Sequence, residues 1–515
     1  MTERAKAWSV LTANTVAFTV CFAVWMMYGV LITFLVDSHA YAFDRLQMGW
    51  LIGIPVLSGS LLRLPVGVLT DKYGGRGVYA GVMLVSAAAS FLTSFAGSFW
   101  GFIWGGLGFG LAGTSFAVGI AYTSVWFPSS RQGTALGIFG AGNAGAAITS
   151  VGAPILLRWL TDGGANLDAW RALPRIYAVG LVLMTLVFWA FTYPRRVEHG
   201  QELTLLQRLA PLKVVRVWRF GLYYFLVFGG FVALAQWLIP YYVNVYNTSV
   251  ARAGLLAAIF SAPSGVIRAL GGYLSDRFGA RTVMYWILGG SAVCCALLVV
   301  PRMDVRSPGE GVLAFSPGTV GVVTAEAVVV GERSYPLRVK PVERSYDEET
   351  LVWPRWSFWQ EPAVLPGDRV VKKQLLARGV THIYFQANIW IFTGLAFLVG
   401  ILMGIGKAAV YKHIPDYFPQ QVGVVGGIVG VLGGLGGFFC PILFGYLLQH
   451  TGIWTTCWMF FLMLSVGSLA WMHVVIRRMM AERAPQLAQR IEAHETARGP
   501  ASIPELGPNL YREGA

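Results

Sequence analysis

The feature that most constrains this chain is the recurrence of apolar runs of about 20 residues along most of its length. A helix of that length crosses the ~30 Å hydrocarbon core of a bilayer. Only 12% of the residues are charged, whereas an ordinary soluble protein carries about a quarter. The sequence therefore predicts an all-α polytopic membrane protein.

Twelve spans are predicted, at 9–36, 46–69, 77–96, 99–127, 131–160, 172–193, 218–243, 252–274, 281–300, 386–411, 421–449 and 452–476. Basic residues concentrate in the connections that follow the even-numbered spans, as Lys72 and Arg131 illustrate. By the positive-inside rule both termini are cytoplasmic, and we expect a multi-pass protein of the cytoplasmic (inner) membrane. The same rule accounts for the net charge of +14 without a nucleic-acid partner.

Two segments differ in composition from the spans. Residues 301–385 alternate strand-like pieces with the aromatic cluster "WPRWSFWQ", which predicts a small β-rich insert. The topology places this insert outside the cytoplasm, and a stabilising or partner-docking role is the default expectation. The segment 481–515 is a polar cytoplasmic tail.

An internal repeat relates the loops after spans 2 and 8. "RLPVGVLTDKYGGR" parallels "RALGGYLSDRFGAR", and the spacing from arginine to aspartate is the same in both copies. The pattern G-x-x-x-D-x-x-G-x-R within them is a signature of the major facilitator superfamily. We expect its charged members to form a conformational loop motif: Asp71, Arg76, Asp276 and Arg281.

The repeat predicts two pseudo-symmetric six-helix halves of the same topology, as in the major facilitator fold. The first half is 1–195, followed by a cytoplasmic linker at 196–217. The second half comprises helices 7–9 in 218–300 and helices 10–12 in 386–480, on either side of the insert.

Arg63 and Arg268 are the important charges inside the spans. Each precedes its loop aspartate by about 12 Å of helix, which places both near mid-depth. Snorkelling to water fails on distance, and no acidic residue lies deep in any span. The pair therefore either binds a small anion, for which the guanidinium fork is suited, or has a structural role.

Two glycine-rich segments provide a second repeat-related feature: "GIFGAGNAGAAIT" in span 5 and "VLGGLGGFFCP" in span 11. Gly140, Gly142 and Gly434 are expected to let helices touch and to line a narrow passage. Asn143 either donates an amide N–H to an oxyanion or acts as interhelical glue.

These motifs together resemble the nitrate/nitrite porter family, the NarK-like branch of the major facilitator superfamily. "FGAGNAG" is similar to its nitrate signature, and "VLGGLGGFFCP" to the second copy of that signature. "SGSLLRLPVGV" and "SGVIRALGGYLSDRFG" resemble its arginine-bearing helices 2 and 8, and "FAVWMMYGV" resembles its helix 1. The resemblance covers the membrane part and leaves out 301–385.

The resemblance implies that nitrate is sandwiched between Arg63 and Arg268, with Asn143 nearby. It implies that Phe116 and Tyr224 bracket the anion, and nitrite should fit the same site.

It further implies that Phe22 and Phe228 help to gate the site. From the residues alone, each of these aromatic side chains is either packing or a cavity wall.

The coupling mode stays open. Nitrate entering a cell that is negative inside moves uphill by about 2.3 kcal/mol per 100 mV. Lys407 is the candidate proton carrier, and in the alternative it snorkels to the cytoplasmic face. The "GKAAVYKH" pattern resembles the proton-coupled branch of the family, and this resemblance implies nitrate/proton symport. Nitrate/nitrite antiport is the alternative, because two arginines without acids disfavour an empty, doubly positive site.

Other classes of protein fit less well. A membrane enzyme would need a catalytic constellation, and the sequence shows neither that nor a cofactor motif or metal-ligand spacing. A carrier of another small anion and a non-transporting anion sensor remain alternatives. The expected partners are nitrate, nitrite, protons in the symport case and membrane lipid, and we expect the protein to function as a monomer.

Overall fold

A computed structural model describes residues 2–195, 209–299, 302–340, 355–386, 388–418 and 422–498. Within these ranges eleven helices are long and apolar enough to cross a membrane, and one bent pair of helices makes a twelfth span. The predicted count of twelve is thus confirmed when the bent pair counts as one span. Most of the predicted linker 196–217 lies outside the described residues.

The helices of the first half form spans 1 to 6. Their bounds are Glu3–Trp25 and Met27–Asp37; Arg45–Leu61 and Arg63–Tyr73; Gly75–Thr93; Phe99–Phe109 and Ser115–Ser124; Ser129–Gly140 and Gly145–Leu160; and Ala172–Phe191.

The helices of the second half form spans 7 to 12. Their bounds are Val215–Tyr224 and Gly230–Tyr246; Val250–Val266 and Arg268–Phe278; Ala280–Leu298; Ile389–Tyr417; Val422–Thr451; and Thr456–Arg498. Spans 10 and 12 continue past their predicted ends, because a helix need not stop where its apolar stretch stops.

Local sequence signals explain where several helices begin and turn. Asp44 and Gln47 form a capping box at the start of span 2. The loops after spans 2 and 8 both turn at a glycine with positive φ, 88° at Gly74 and 82° at Gly279. Only glycine adopts this conformation without strain, so the matching glycines give the two repeat loops the same path.

Many of the spans are interrupted near their middle. Span 2 breaks at Leu62 and span 8 at Ile267, where the two helices differ in direction by 48°. Pro65 explains the first break, because it has no N–H to donate to the carbonyl four residues earlier. Spans 4 and 5 contain 3₁₀ turns at Gly110–Thr114 and Ala141–Ala144.

Span 7 is interrupted by a π-helical turn at Phe225–Gly229. Such irregular turns inside helices frequently mark functional sites. Inside a membrane they are tolerated where protein surrounds the backbone.

The described residues of the insert form seven strands: β1 Arg302–Leu313, β2 Gly318–Val323, β3 Ala327–Val330, β4 Arg333–Pro336, β5 Arg355–Pro362, β6 Arg369–Val370 and β7 Leu375–Gln386. One sheet has the order β1-β7-β5 and the other β4-β3-β2-β6. In the first sheet β1 runs antiparallel to β7 from Arg302 opposite Gln386 to Leu313 opposite Leu375. The predicted β-rich insert is confirmed, and its position outside the cytoplasm stays a prediction.

Spans of opposite halves approach each other closely at glycines. A Cβ on Gly53 of span 2 would lie 2.7 Å from the carbonyl oxygen of Phe438 in span 11. A Cβ on Gly265 of span 8 would lie 2.9 Å from the backbone nitrogen of Ala144 in span 5. Small residues therefore let the two halves pack backbone against backbone.

The chain forms two compact units. Met1–Ser465 contains the first eleven spans, the strands and the start of the last helix. The described part of Val466–Ala515 continues as helix to Arg498.

Candidate functional site

Arg63 is buried directly after the break in span 2, with 4% of its surface exposed. Its Nε donates to the carbonyl of Gly113 at 3.3 Å, and its Nη1 donates to the carbonyl of Gly430 at 3.0 Å. Gly113 belongs to the first half and Gly430 to the second, so one guanidinium joins both halves. Its Nη2 is buried and has no hydrogen-bond partner in the described part of the chain.

Arg268 occupies the repeat-related position directly after the break in span 8. It is only half-buried, unlike Arg63. Its Nη1 is nevertheless buried without a hydrogen-bond partner among the described residues. The two arginines are therefore equivalent in position along the repeat and unequal in environment.

The ring of Phe116 lies against both guanidinium groups. The Cζ of Arg63 is 5.5 Å from the ring centre and the Cζ of Arg268 is 5.3 Å from it. A cation within about 6 Å of an aromatic centre is attracted to the ring. Phe116 thus brings the two arginines of opposite halves to one place, as the paired-arginine hypothesis requires.

Tyr224 and Phe228 line the same place from span 7. Their rings stack with centres 5.0 Å apart, and Phe228 lies 5.3 Å from the Cζ of Arg63. The π-helical turn begins directly after Tyr224 and contains Phe228. The hydroxyl of Tyr224 is buried and has no hydrogen-bond partner among the described residues.

Phe22 lies one ring away from the arginines. It makes edge contacts with Phe18 at 5.6 Å and Trp25 at 5.4 Å, and Trp25 is the ring that lies 5.6 Å from the Cζ of Arg63. Its influence on the site therefore passes through Trp25 and Phe18.

Asn143 is fully buried in the 3₁₀ turn of span 5. Its Nδ2 donates to the carbonyl of Gly140 at 2.7 Å, and its Oδ1 has no hydrogen-bond partner in the described ranges. The two residues both belong to span 5, so this hydrogen bond does not link two helices, as the structural alternative for Asn143 would require. One N–H of the amide remains available to an anion.

The glycines around the site mostly accommodate side chains, which differs from the expected backbone contact. A Cβ on Gly140 would lie 3.2 Å from the Cδ of Arg268, and one on Gly142 would overlap the ring of Phe18. A Cβ on Gly434 would overlap the Oγ of Ser60 and lie 3.3 Å from the Nη1 of Arg63. These glycines therefore make room for the arginines and their neighbours.

Lys407 is fully buried between spans 7, 8 and 10. Its Nζ donates to the Oγ of Ser264 at 3.2 Å and lies 3.1 Å from the ring centre of Phe231. The side chain does not reach an aqueous face in this conformation, so the snorkelling alternative does not describe it. The positive charge of Arg268 is close enough to repel the ammonium group of Lys407.

The loop-motif residues hold the helix ends around the repeat loops. Arg76 donates to the carbonyl of Trp189 at 2.6 Å, while Arg281 donates to the hydroxyl of Tyr417 at 3.0 Å. Asp276 forms an ion pair with Lys412 at 2.6 Å. The two copies thus contact different spans, span 6 in the first half and span 10 in the second.

Asp71, the first-half counterpart of Asp276, follows Arg63 on the second helix of span 2. It lies in the last turn of that helix, which ends at Tyr73 directly before Gly74.

Tyr411 is a site residue that sequence reasoning missed. Its ring centre lies 5.6 Å from the Cζ of Arg268 and 5.0 Å from the ring of Tyr224. Its hydroxyl donates to the carbonyl of Gly426 at 3.1 Å. The signal was its spacing of four residues after Lys407, which puts both side chains on one face of span 10.

The electrostatics of this site favour an anion. Neither Arg63 nor Arg268 forms an ion pair within the described part of the chain. Buried N–H groups from both arginines lack partners there. A buried charge without compensation costs several kcal/mol, and a small oxyanion between the arginines would supply both the charge and the acceptors.

Comparison with known proteins identifies the fold and the family. The sequence profile of the Major Facilitator Superfamily matches residues 15–332 and 375–506. A crystal structure of a bacterial homolog of the human lysosomal transporter Spinster, inward-facing and occupied, has a TM-score of 0.60 at 14% identity. The match covers 93% of this chain and 98% of that one, and it shows the fold alone.

Two relatives are more similar in sequence. The "Probable nitrate/nitrite antiporter NarK1" of Thermus thermophilus is 38% identical over 494 residues, covering 95% of this chain and 96% of the relative. The "Nitrite extrusion protein" of Bacillus subtilis is 25% identical over 484 residues, covering 93% and 96%. With its repeated loop motif, its arginine-bearing spans and these relatives, the chain belongs to the NarK-like nitrate/nitrite porter family of the major facilitator superfamily.

Proposed function

We propose that this protein transports nitrate, and also nitrite, across the membrane by alternating access. The observation that carries the proposal is the pair of arginines that share the ring of Phe116 and keep buried N–H groups without partners. The description of the Thermus relative as a probable nitrate/nitrite antiporter supports the choice of anion.

The chemistry of the site suits a small planar oxyanion. Each guanidinium offers donors in one plane, which match the oxygens of nitrate or nitrite. Phe116 and Tyr224 would bracket the anion, and the free N–H of Asn143 would donate to an oxygen. The side chains packed against Gly140 and Gly434 restrict the space and disfavour phosphate esters or larger organic anions.

The arginines also give a physical reason for alternating access. Arg63 of the first half donates to Gly430 of the second, and Arg268 of the second half lies against Phe116 of the first. An anion bound between them attracts both halves and removes their mutual repulsion. Rocking of the halves is therefore easier when the site is loaded.

For coupling we favour nitrate/proton symport with Lys407 as the proton-binding group. The observation in its favour is complete burial next to Ser264 and Phe231, with Arg268 acting on its charge. A lysine in such a place gains or loses a proton according to the local charge, and anion binding at Arg268 changes that charge.

Nitrate/nitrite antiport is the second candidate. It is favoured by the two arginines, which have no acidic partner among the described residues and make the empty site doubly positive. The naming of the Thermus relative as a probable nitrate/nitrite antiporter favours it too. In that mode the loaded site changes conformation in both directions and Lys407 keeps one protonation state.

The experiment that separates the two uses proteoliposomes without internal anion and an inward proton gradient. Nitrate uptake accompanied by proton entry supports symport, and Lys407→Met should abolish the proton entry, whereas exchange of the exposed Lys213 for Met should not. Uptake only after nitrite or nitrate is loaded inside supports antiport. Nitrate binding without any flux would instead indicate a sensor and contradict both.

We place the protein in the cytoplasmic membrane with both termini on the cytoplasmic side, functioning as a monomer and not as an enzyme. The basic connections after the even-numbered spans support this orientation. The β-rich insert then faces the opposite side.

A further inference from the structure

A second group of arginines lies where span 7 and span 9 begin and span 10 ends. Its members are Arg216 and Arg219 of span 7 and Arg281 of span 9. Arg219 precedes Tyr224 by five residues, about 7.5 Å along the helix, so the group is separate from the paired arginines.

Two of the three guanidiniums contact Tyr417 at the end of span 10. Arg281 donates to the Tyr417 hydroxyl at 3.0 Å, and the Cζ of Arg216 lies 4.5 Å from the centre of the same ring. The positive charges of Arg216 and Arg281 both repel the guanidinium of Arg219. Like charges this close repel one another, so the group needs a compensating negative charge.

Arg219 is buried, with 8% of its surface exposed. Its Nε has no hydrogen-bond partner in the described ranges, and the same holds for the buried hydroxyl of Tyr223, one turn further along span 7. Phe220 and His413, whose rings stack at 5.4 Å, close the other side. The guanidinium of Arg219 lies 5.6 Å from the ring centre of Phe220, and a buried N–H without a partner beside such rings is costly.

No described carboxylate compensates these charges. The acid of the adjacent loop, Asp276, pairs with Lys412 at 2.6 Å, and none of the three arginines forms an ion pair within the described side chains. The side chain of Asp416 lies outside that set.

We propose that Arg216, Arg219 and Arg281 bind a phosphate-class oxyanion, presented by an anionic lipid headgroup or free in solution. Several guanidinium forks suit the several oxygens of a phosphate. The group lies at helix ends, the depth of the headgroups, and Trp218 beside it is half-exposed with its Nε1 donating to the carbonyl of Leu212 at 2.7 Å. An exposed tryptophan at this depth is typical of the membrane interface and favours the lipid source.

The test measures thermal unfolding of the purified full-length protein in detergent, with added phosphatidylglycerol, phosphatidylcholine or inorganic phosphate. Phosphatidylglycerol should raise the Tm in a saturable way, and phosphatidylcholine should not. Arg216→Gln and Arg219→Gln should each weaken the apparent affinity at least about tenfold, the loss expected for one charge-assisted hydrogen bond. Arg216 is only half-buried, so its variant remains informative if the Arg219 variant does not fold.

Arg277→Gln is the matched control, because Arg277 is an exposed arginine in the last turn of span 8 and donates to the Tyr273 hydroxyl at 3.2 Å, outside the group. A response to phosphatidylglycerol alone assigns the site to lipid, and an equal response to inorganic phosphate assigns it to a free oxyanion. No response to either, or an equal loss in the Arg277 control, overturns the proposal. Nitrate binding at the paired arginines is measured separately and does not depend on either result.

Discussion

Replacement of Arg63 by lysine is the sharpest perturbation of the proposed nitrate site. The substitution keeps the positive charge and removes the planar fork. In the structure that fork donates to Gly113 in the first half and Gly430 in the second, and leaves Nη2 for a ligand. A lysine ammonium carries its donors on a single nitrogen and cannot reach both carbonyls and an anion together.

The magnitude follows from the contacts that are lost. A hydrogen bond to a charged group contributes about 1.5–3 kcal/mol. Loss of the ligand contact and of one carbonyl contact should therefore lower kcat/KM for nitrate by at least about a hundredfold. Stacking against Trp25, Phe116 and Phe228 also weakens, because an ammonium is not planar.

The assay is the initial rate of nitrate uptake into proteoliposomes over a range of nitrate concentrations, with equal amounts of folded protein. Arg277→Lys is the control, since it makes the same chemical change at an exposed position in the last turn of span 8. A kcat/KM of Arg63→Lys close to that of the unmodified protein would refute the reasoning, because the fork would then be dispensable.

Further predictions concern the surroundings of this arginine. Asn143→Leu should reduce the preference for nitrate over halides and lower flux, because it removes the free amide N–H; competition by chloride in the uptake assay checks this, and unchanged selectivity would leave Asn143 a structural residue. Lys407→Met should remove the pH dependence of uptake if Lys407 carries the coupling proton; an unaltered pH profile would leave antiport as the account. Gly434→Ala should raise the KM for nitrate several-fold, because the new Cβ overlaps the Oγ of Ser60 and crowds the Nη1 of Arg63; a Gly137→Ala control, whose Cβ meets open space, should leave the KM unchanged.

The sequence predicts the architecture because its signals are long or repeated. Apolar length gives the spans, and the matched loops give the two halves; in the structure the matching Gly74 and Gly279 both have positive φ. The mid-depth position of Arg63 and Arg268 stays a prediction from helix geometry. These features depend on the length of apolar runs and on repeated motifs, both of which can be read from a single sequence.

The details of the site depend on packing, which a single sequence does not specify. Pro65 could have predicted the break in span 2, but span 8 has no proline at the corresponding position and breaks at Ile267 all the same. Tyr411 looks like any aromatic in an apolar helix until Arg268 is placed beside it.

Lys407 is a second residue whose environment the sequence does not specify. One turn before Tyr411 in an apolar span, it fits a snorkelling lysine as well as a buried one. Only the contacts with Ser264 and Phe231 distinguish the two.

The most direct test of the central claim is equilibrium binding of nitrate to the purified protein by calorimetry, comparing the unmodified chain with Arg268→Lys and the Arg277→Lys control. If the anion is held between the paired arginines, nitrate should bind saturably at one site per chain. The control should retain this binding, and Arg268→Lys should lose it. Undiminished nitrate binding in Arg268→Lys would place the substrate elsewhere and contradict the account.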